Sequence, residues 1–362
     1  MKLKTMVATV LVAAIALGGV AAAGCLGGTP QEMVIYWTPI APVQQKAAIE
    51  TGIVQGGVSW EPYVSDSLVG GTANAIVWSD EVWPNHPCCV ITVAKSFASN
   101  QEVRDNDLVA RVIRAHIDAT NWILQTIEEG SGPNYTALLA SGAVFADRDE
   151  AIVESAISHI EYGYTIGDDT KEWFANYTTM FADLAQITGL GGYPNVTAFV
   201  DGLVNTTYLE EAMTVEPSDT ILGTVRLGYL LGDLHQFARV IAMNETLWGG
   251  ETLFERYGVE ITSPAPYGNG AFLMDGFGRG EIDMGYLGAP PVILKTINAN
   301  IQVELIALVN SEGSAIIAEE GITTFDDLNG KTVATPGPGS IQHLLLLFYA
   351  NEHGYQVKLK GT

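Results

Sequence analysis

The sequence predicts an α/β protein of two lobes with a cleft between them, and three observations carry this. A chain of 362 residues is long enough for two separate cores. Short β-branched runs alternate with helical spacing near both ends of the chain, the pattern of parallel sheets covered by helices. In GKTVATPGPGSIQHLLLL, Gly330 to Leu347, a β-branched run breaks at Pro336-Gly337-Pro338-Gly339. It restarts as an apolar segment behind Ser340, a residue suited to cap a helix.

Taken in order, Met33 to Trp37 reads as a strand, followed by a proline-punctuated turn and a helix near Val43 to Glu50. Gly57-Val58-Ser59-Trp60 reads as a buried strand and Glu61-Pro62 as the start of a helix reaching about Gly70. Ala75 to Ser79 and Cys88 to Ala94 are further strands. After Ser99 the spacing turns helical over Val103 to Ile127, Asp149 to Ile160, Asp168 to Ile187 and Val196 to Met213. Thr214 to Asp219, with Glu216-Pro217-Ser218, reads as a linker.

A second α/β run opens at Val225 to Leu230 and continues through a helix from His235 to Met243. The strand Gly280 to Leu287 leads to Gly288-Ala289-Pro290-Pro291, where proline takes the first helical position. Val303 to Asn310 is a strand, Ser314 to Ala318 extends or follows it, Thr323 to Leu328 is a short helix, and Val357 to Leu359 is extended.

Acidic residues outnumber basic ones 41 to 17, a formal charge of −24. That balance argues against nucleic acid as a partner and against docking on anionic lipid. Met1 to Cys25 reads as an export signal, with Lys2 and Lys4 ahead of an apolar run from Met6 to Val20 and a small-residue exit at Ala21-Ala22-Ala23-Gly24. Cys25 then follows a lipobox-like end. Cleavage before it and a lipid on its sulfur are expected, which would hold the protein extracytoplasmic, on the outer face of the membrane, by that anchor alone. Plain secretion is the alternative. No later stretch is long and apolar enough for a membrane-spanning helix. Five sequons, at Asn134, Asn176, Asn195, Asn205 and Asn244, are compatible with surface glycosylation.

With Cys25 assigned to the anchor, Cys88 and Cys89 remain. His86 beside them makes a metal site conceivable, and their adjacency allows a vicinal disulfide. The apolar strand that follows favours plain core thiols. A second Cys/His cluster to complete a metal site is lacking, so neither a metal nor any other cofactor is expected.

GYLLGDLHQFARVIA at Gly228 to Ala242, NGAFLMDGFGRGEIDMGYLGAPP at Asn269 to Pro291 and DDLNGKTVATPGPGSIQHLLL at Asp326 to Leu346 resemble the N-terminal half of the nitrate/sulfonate/taurine-type substrate-binding proteins of ABC transporters. AAIETGIVQGGVSWEPYVS at Ala47 to Ser65, WPNHPCCVI at Trp83 to Ile91 and LVNTTYLEEA at Leu203 to Ala212 resemble that family's C-terminal half. The halves stand in reversed order, so a circular permutation is the economical reading. The resemblance implies a periplasmic-binding-protein-like fold of type 2, here with a split lobe over 30–95 and 316–362 and a continuous lobe with long helices over 96–315. The strands near Cys88 to Ala94 and Ala307 to Ala318 would be the crossovers between lobes.

It also implies a small solute of the oxyanion type, such as a sulfonate, taurine or nitrate, delivered to an ABC permease with its ATPase subunits. Catalysis is not expected, because no nucleophile elbow, P-loop or metal-spaced histidine pair is present. A thiamine-pyrimidine-precursor-like ligand, bound or acted on by the same fold, is the alternative.

Independently of the resemblance, ligands of open α/β sheets sit at the carboxyl ends of the strands. The turns there carry the candidates. In the split lobe they are Gly339, Ser340 and Gln342 with Trp60 and Glu61. In the continuous lobe they are Leu231, His235 and Gln236 with Gly288 and Ala289, and His86 stands apart near the cysteines. None of these turns contains Lys or Arg. An anion would therefore depend on helix N-termini and neutral donors, and a neutral or zwitterionic solute fits nearly as well.

Overall fold

The computed structural model describes residues 32–264 and 266–361. The expected leader and the lipid-bearing Cys25 lie outside the described residues. Two mixed sheets organise the rest. The larger has the order Gln356–Leu359, Val34–Pro39, Thr332–Thr335, Gly56–Trp60, Ser314–Glu319, Ala73–Trp78. Its first four strands run parallel, and Ser314–Glu319 runs against both of its neighbours. Gly56–Trp60 is buried along its whole length and takes a central place, while Gln356–Leu359, exposed at both ends, takes an edge.

The smaller sheet has the order Val259–Thr262, Gly223–Gly228, Met284–Gly288, Cys89–Ala94, Val303–Leu308. Its first three strands are parallel, and Cys89–Ala94 opposes both neighbours. Each sheet thus repeats one plan, a parallel set plus one reversed strand. Cys89–Ala94 is apolar but for Thr92 and buried throughout, as a strand inside a sheet covered on both faces must be.

The larger sheet joins segments from opposite ends of the sequence. Tyr36 lies opposite Thr332 and Trp37 opposite Val333 in a parallel ladder. The chain passes between the sheets at 79–88 and again at 309–313. These passages are tied together, with Glu312 N–H donating to the His86 carbonyl at 3.1 Å and Asn85 N–H donating to Glu312 Oε1 at 2.8 Å. The passages therefore fall beside the strands expected to make them. Cys89–Ala94 belongs wholly to the smaller sheet and Ser314–Glu319 wholly to the larger one.

Helices supply the covering layers. Leu108–Glu129 buries Ile113, Ile117 and Ile123 and packs on Phe237–Ala242. Its spacing of apolar residues was readable, and Gly130 ends it in the left-handed region, where glycine is at no disadvantage. The stretch Val196 to Met213 is two helices, Val196–Leu203 and Thr207–Ala212. Val204 between them bridges to Leu305 in the smaller sheet, and that backbone pairing stops the helix. Asp149 to Ile160 likewise stops early, as the helix Glu150–Ile157 gives way to the strand Ile160–Tyr162. His235 to Met243 opens as the 3-10 turn Leu234–Gln236 and becomes α-helical at Phe237.

Two further helices, Pro133–Ala146 and Gly270–Gly278, lie in stretches whose glycines and small residues hide the apolar period. Gly276 has a packing reason: a methyl group there would stand 2.4 Å from the Tyr267 hydroxyl.

Candidate ligand cleft

The parallel strands of both sheets end, and their following helices begin, around two adjoining cavities of about 250 and 30 Å³ that share Asn269, Gly270, Pro291 and Ser340. The larger sheet contributes Trp60 and the loop from Pro336 into the helix Ile341–Glu352. The smaller sheet contributes Leu230, Asp233 and Gly288. No lysine or arginine is among the described residues lining either cavity.

On the first wall, Gly337 and Gly339 take φ of +120° and +85°, and a side chain at 339 would press into Leu294 at 2.6 Å. The positive φ is what calls for glycine at 339, since the end of the Leu294 side chain could give way. Ser340 caps the helix: its Oγ accepts from His343 N–H at 3.1 Å and donates to the Gly337 carbonyl at 2.8 Å. The N–H groups of Ile341 and Gln342 come before the intrahelical ladder begins and stand at the anion-attracting end of the helix. The Gln342 side chain is already engaged, donating to Ser314 Oγ at 2.8 Å. Trp60 is buried at the cavity edge, and its Nε1–H has no hydrogen-bond partner among the described residues. An indole N–H held out of water without an acceptor is costly unless a ligand supplies one.

The opposite wall is self-contained. Asp233 is buried; Oδ1 accepts from His235 N–H at 3.0 Å and Oδ2 from Gln236 Nε2 at 2.9 Å. Gln236 Oε1 accepts from Leu230 N–H at 3.0 Å. His235 places Nδ1 3.2 Å from Cys88 Sγ and Nε2 3.0 Å from the Gly313 carbonyl. Burial pushes the Asp233 carboxyl up to about 6, opposed by the charge on His235. Burial disfavours the charged His235, but the Cys88 sulfur and Asp233 outweigh it and raise the imidazole to about 9. Hydrogen bonding from Cys89, then the charge on His235, hold the Cys88 thiol well below its ordinary value despite burial. Burial, with Cys88 and Asp233 nearby, pushes Cys89 well above. The two thiols under the cleft floor are thus pushed in opposite directions, Cys88 down toward its partner His235 and Cys89 up.

Several expected site residues do other work. The Glu61 carboxylate is fully buried and taken up by Ser65 N–H at 2.9 Å, Ser65 Oγ at 2.8 Å and His159 Nδ1 at 2.9 Å. It does not line the cavities. Leu231 is exposed and its carbonyl accepts from the Tyr63 hydroxyl at 2.8 Å, so the apolar lining comes from its neighbour Leu230. Ala289 donates its N–H to the Cys88 carbonyl at 2.9 Å, and the prolines after it have no N–H. The Ala289–Ala299 helix therefore offers the ligand no first-turn donor there, although Gly288 lines the cleft.

His235 and Gln236 lie beneath the surface rather than on it. His86 turns its Nδ1 to the Trp83 carbonyl at 3.0 Å, its Nε2 has no partner among the described residues, and burial lowers it to about 4. Sequence reasoning missed Asn269 and Gly270, whose signal was an Asn-Gly pair at a helix start; Asn269 Oδ1 accepts from Phe272 N–H at 3.0 Å.

A larger cavity of about 640 Å³ lies between the helices Asp168–Asp183 and Ile341–Glu352, lined by Met180, Leu184, Leu344 and Phe348. It gathers no helix N-terminus, and the parallel strand it touches, Gln356–Leu359, meets it at its amino end rather than its carboxyl end, so the smaller cleft is the candidate site.

Among known proteins, residues 5–130 match the NMT1-like family. A protein of Brucella abortus (strain 2308) that carries a binding-protein name is 29% identical over 140 residues, covering 38% of this chain and 40% of the relative. A similarly named protein of Brucella suis biovar 1 matches equally. The chain thus spans less than half the length of these relatives. The crystal structure of NikA from Brucella suis in complex with Fe(III)-EDTA aligns over 77% of this chain and 55% of that one, with a TM-score of 0.32 and 11% identity.

Proposed function

We propose that this chain is the solute-binding component of an ABC importer and holds a small solute, without turnover, between the two sheet-centred lobes. The observation that carries it is the partnerless Nε1–H of Trp60, buried at a cleft where helix N-termini also converge. The resemblance of the motifs and the family match over residues 5–130 support the class. The ladder joining Val34–Pro39 to Thr332–Thr335 supports reading the chain as a circular permutation of that class. The lipid anchor at Cys25 and the permease partner belong to the same proposal.

A small oxyanion, such as a sulfonate or nitrate, would sit on the N–H groups of Ile341 and Gln342 and the indole of Trp60. A neutral or zwitterionic solute is the second reading, favoured by Asp233 at the floor and the absence of lining cations among the described residues. Thermal-shift screening against sulfonates, taurine, nitrate, bicarbonate and pyrimidine precursors of thiamine tests both. A ligand at about a hundred times its dissociation constant adds roughly 2.7 kcal/mol. No shift across the panel would sink the solute reading, and product formation would replace it with an enzyme.

A further inference from the structure

The donor atoms of Cys88, Cys89 and His235 lie within 4.8 Å of one another, and all three residues are buried. Cys88 Sγ faces His235 Nδ1 at 3.2 Å, and Cys89 Sγ is 3.8 Å from Asp233 Oδ2. Both thiols are free. A tetrahedral ion with sulfur at about 2.3 Å and nitrogen at about 2.0 Å sets its donors roughly 3.5–3.8 Å apart, so shifts of about an ångström or less assemble the site.

The surroundings already orient the donors. His235 Nε2 faces the Gly313 carbonyl at 3.0 Å. A carbonyl can only accept, so Nε2 carries the hydrogen and Nδ1 is the atom presented to the sulfur. Gly313 makes that contact feasible: its φ is +79°, and a methyl group there would stand 2.4 Å from Nε2. Asn310 fixes the backbone beneath both sulfurs, its carbonyl accepting from Cys88 N–H at 2.9 Å and its Oδ1 from Cys89 N–H at 3.0 Å.

We propose that Cys88, Cys89 and His235 bind a thiophilic metal ion of the Zn²⁺ or Cu⁺ class at the floor of the cleft. Two sulfurs and an imidazole select such an ion over Ca²⁺ or Mg²⁺, which take oxygen. As the ion enters, the proton of Cys89 and the one shared by Cys88 and His235 leave. Cys88, Cys89 and Asp233 line the 30 Å³ cavity, so the ion is reached from the cleft. His86, the histidine next to the cysteines in sequence, faces Trp83 instead and takes no part. The inference rests on these donor atoms and does not require the solute reading.

The test uses the full chain carrying Cys25→Ser, which removes the remaining thiol, kept reduced with a phosphine and stripped of metal. Titration with Co²⁺ is expected to give a thiolate-to-cobalt charge-transfer band that saturates at one equivalent and is lost on adding Zn²⁺. Cys88→Ser, Cys89→Ser and His235→Ala should each abolish or strongly reduce the band, and His86→Ala should keep it. Should the variants fail to fold by circular dichroism, X-ray absorption on the zinc-loaded parent decides. Two sulfur neighbours at about 2.3 Å support the site. An oxygen-only shell, as adventitious binding to this acidic surface would give, or no band in the folded reduced chain, overturns it.

Discussion

On the larger sheet's side of the cleft, Trp60 Nε1–H has no acceptor among the described residues, and the first N–H groups of the Ile341–Glu352 helix precede its hydrogen-bond ladder. On the smaller sheet's side, Asp233, His235 and Gln236 answer one another, the Leu230 N–H and the Gly313 carbonyl. Both walls come from the same local device, a strand running into a helix. The difference lies in pairing. Asp233, His235 and Gln236 pair with one another, whereas Trp60, just as buried, has no acceptor for its indole N–H among the described residues. Substitutions on the closed wall should therefore act on stability, and on the open wall only those that remove a donor without a partner should act on affinity.

The closed wall gives the largest expected effect. Asp233→Ala leaves the His235 N–H and the Gln236 amide without their acceptor in a dry interior, which should cost about 3–5 kcal/mol in urea unfolding. A loss below about 1 kcal/mol would mean that water reaches this cluster and that the contrast between the walls is false.

Two buried histidines, one behind each wall, test how evenly the interior is closed. Burial lowers both His116, whose Nε2 faces the Leu308 carbonyl at 3.0 Å, and His343, beside Thr335 Oγ1 at 3.1 Å, to about 4. Because the folded value lies below that of the unfolded chain, about 6.5, the unfolded state takes up protons first as pH falls. The stability due to each neutral ring is complete above pH 6.5 and lost by about pH 4. The loss is about 3 kcal/mol per histidine on the scale of 1.4 kcal/mol per pH unit. His116→Gln and His343→Gln should each flatten the acid limb of the stability profile. An unchanged limb in His343→Gln alone would show that the helix behind the open wall admits water.

Affinity is the measure for Trp60. Trp60→Phe keeps an aromatic ring and deletes the partnerless N–H, so solute binding should weaken by about three- to tenfold, the worth of one neutral hydrogen bond. Stability without ligand should fall by no more than a small cavity requires, since an unsatisfied donor leaves with the indole. Unaltered affinity would take the indole out of the site.

The elements behind this contrast were legible where local chemistry dictates them. The buried strand at Trp60, the glycine turn at Pro336 to Gly339 and the cap at Ser340 follow from β-branching, backbone freedom and a hydroxyl placed before an apolar run. The pairings that decide what each polar group does were not legible, because they join residues far apart in the chain. Cys88 meets His235 across 147 positions, and Glu61 meets His159 across 98. A sequence window holding His86 beside Cys88 points to the wrong histidine, since backbone turns rather than adjacency aim the rings. Pro133–Ala146 was missed for another reason: its small residues give little contrast between faces, and packing against Glu150–Ile157 completes it.

The smallest effect tests the open wall most directly. Ser340 Oγ serves the helix itself, accepting from His343 N–H and donating to the Gly337 carbonyl, while the N–H groups expected to meet the solute belong to the next two residues. Ser340→Ala should therefore cost a cap-sized ~1 kcal/mol in stability and leave affinity nearly unchanged. The helix stays in place because Ile341, Leu344 and Leu345 remain buried against the sheet. A tenfold loss of affinity with little loss of stability would invert this assignment. The hydroxyl would then be a ligand contact, and the cap would be the state it adopts when no solute is bound.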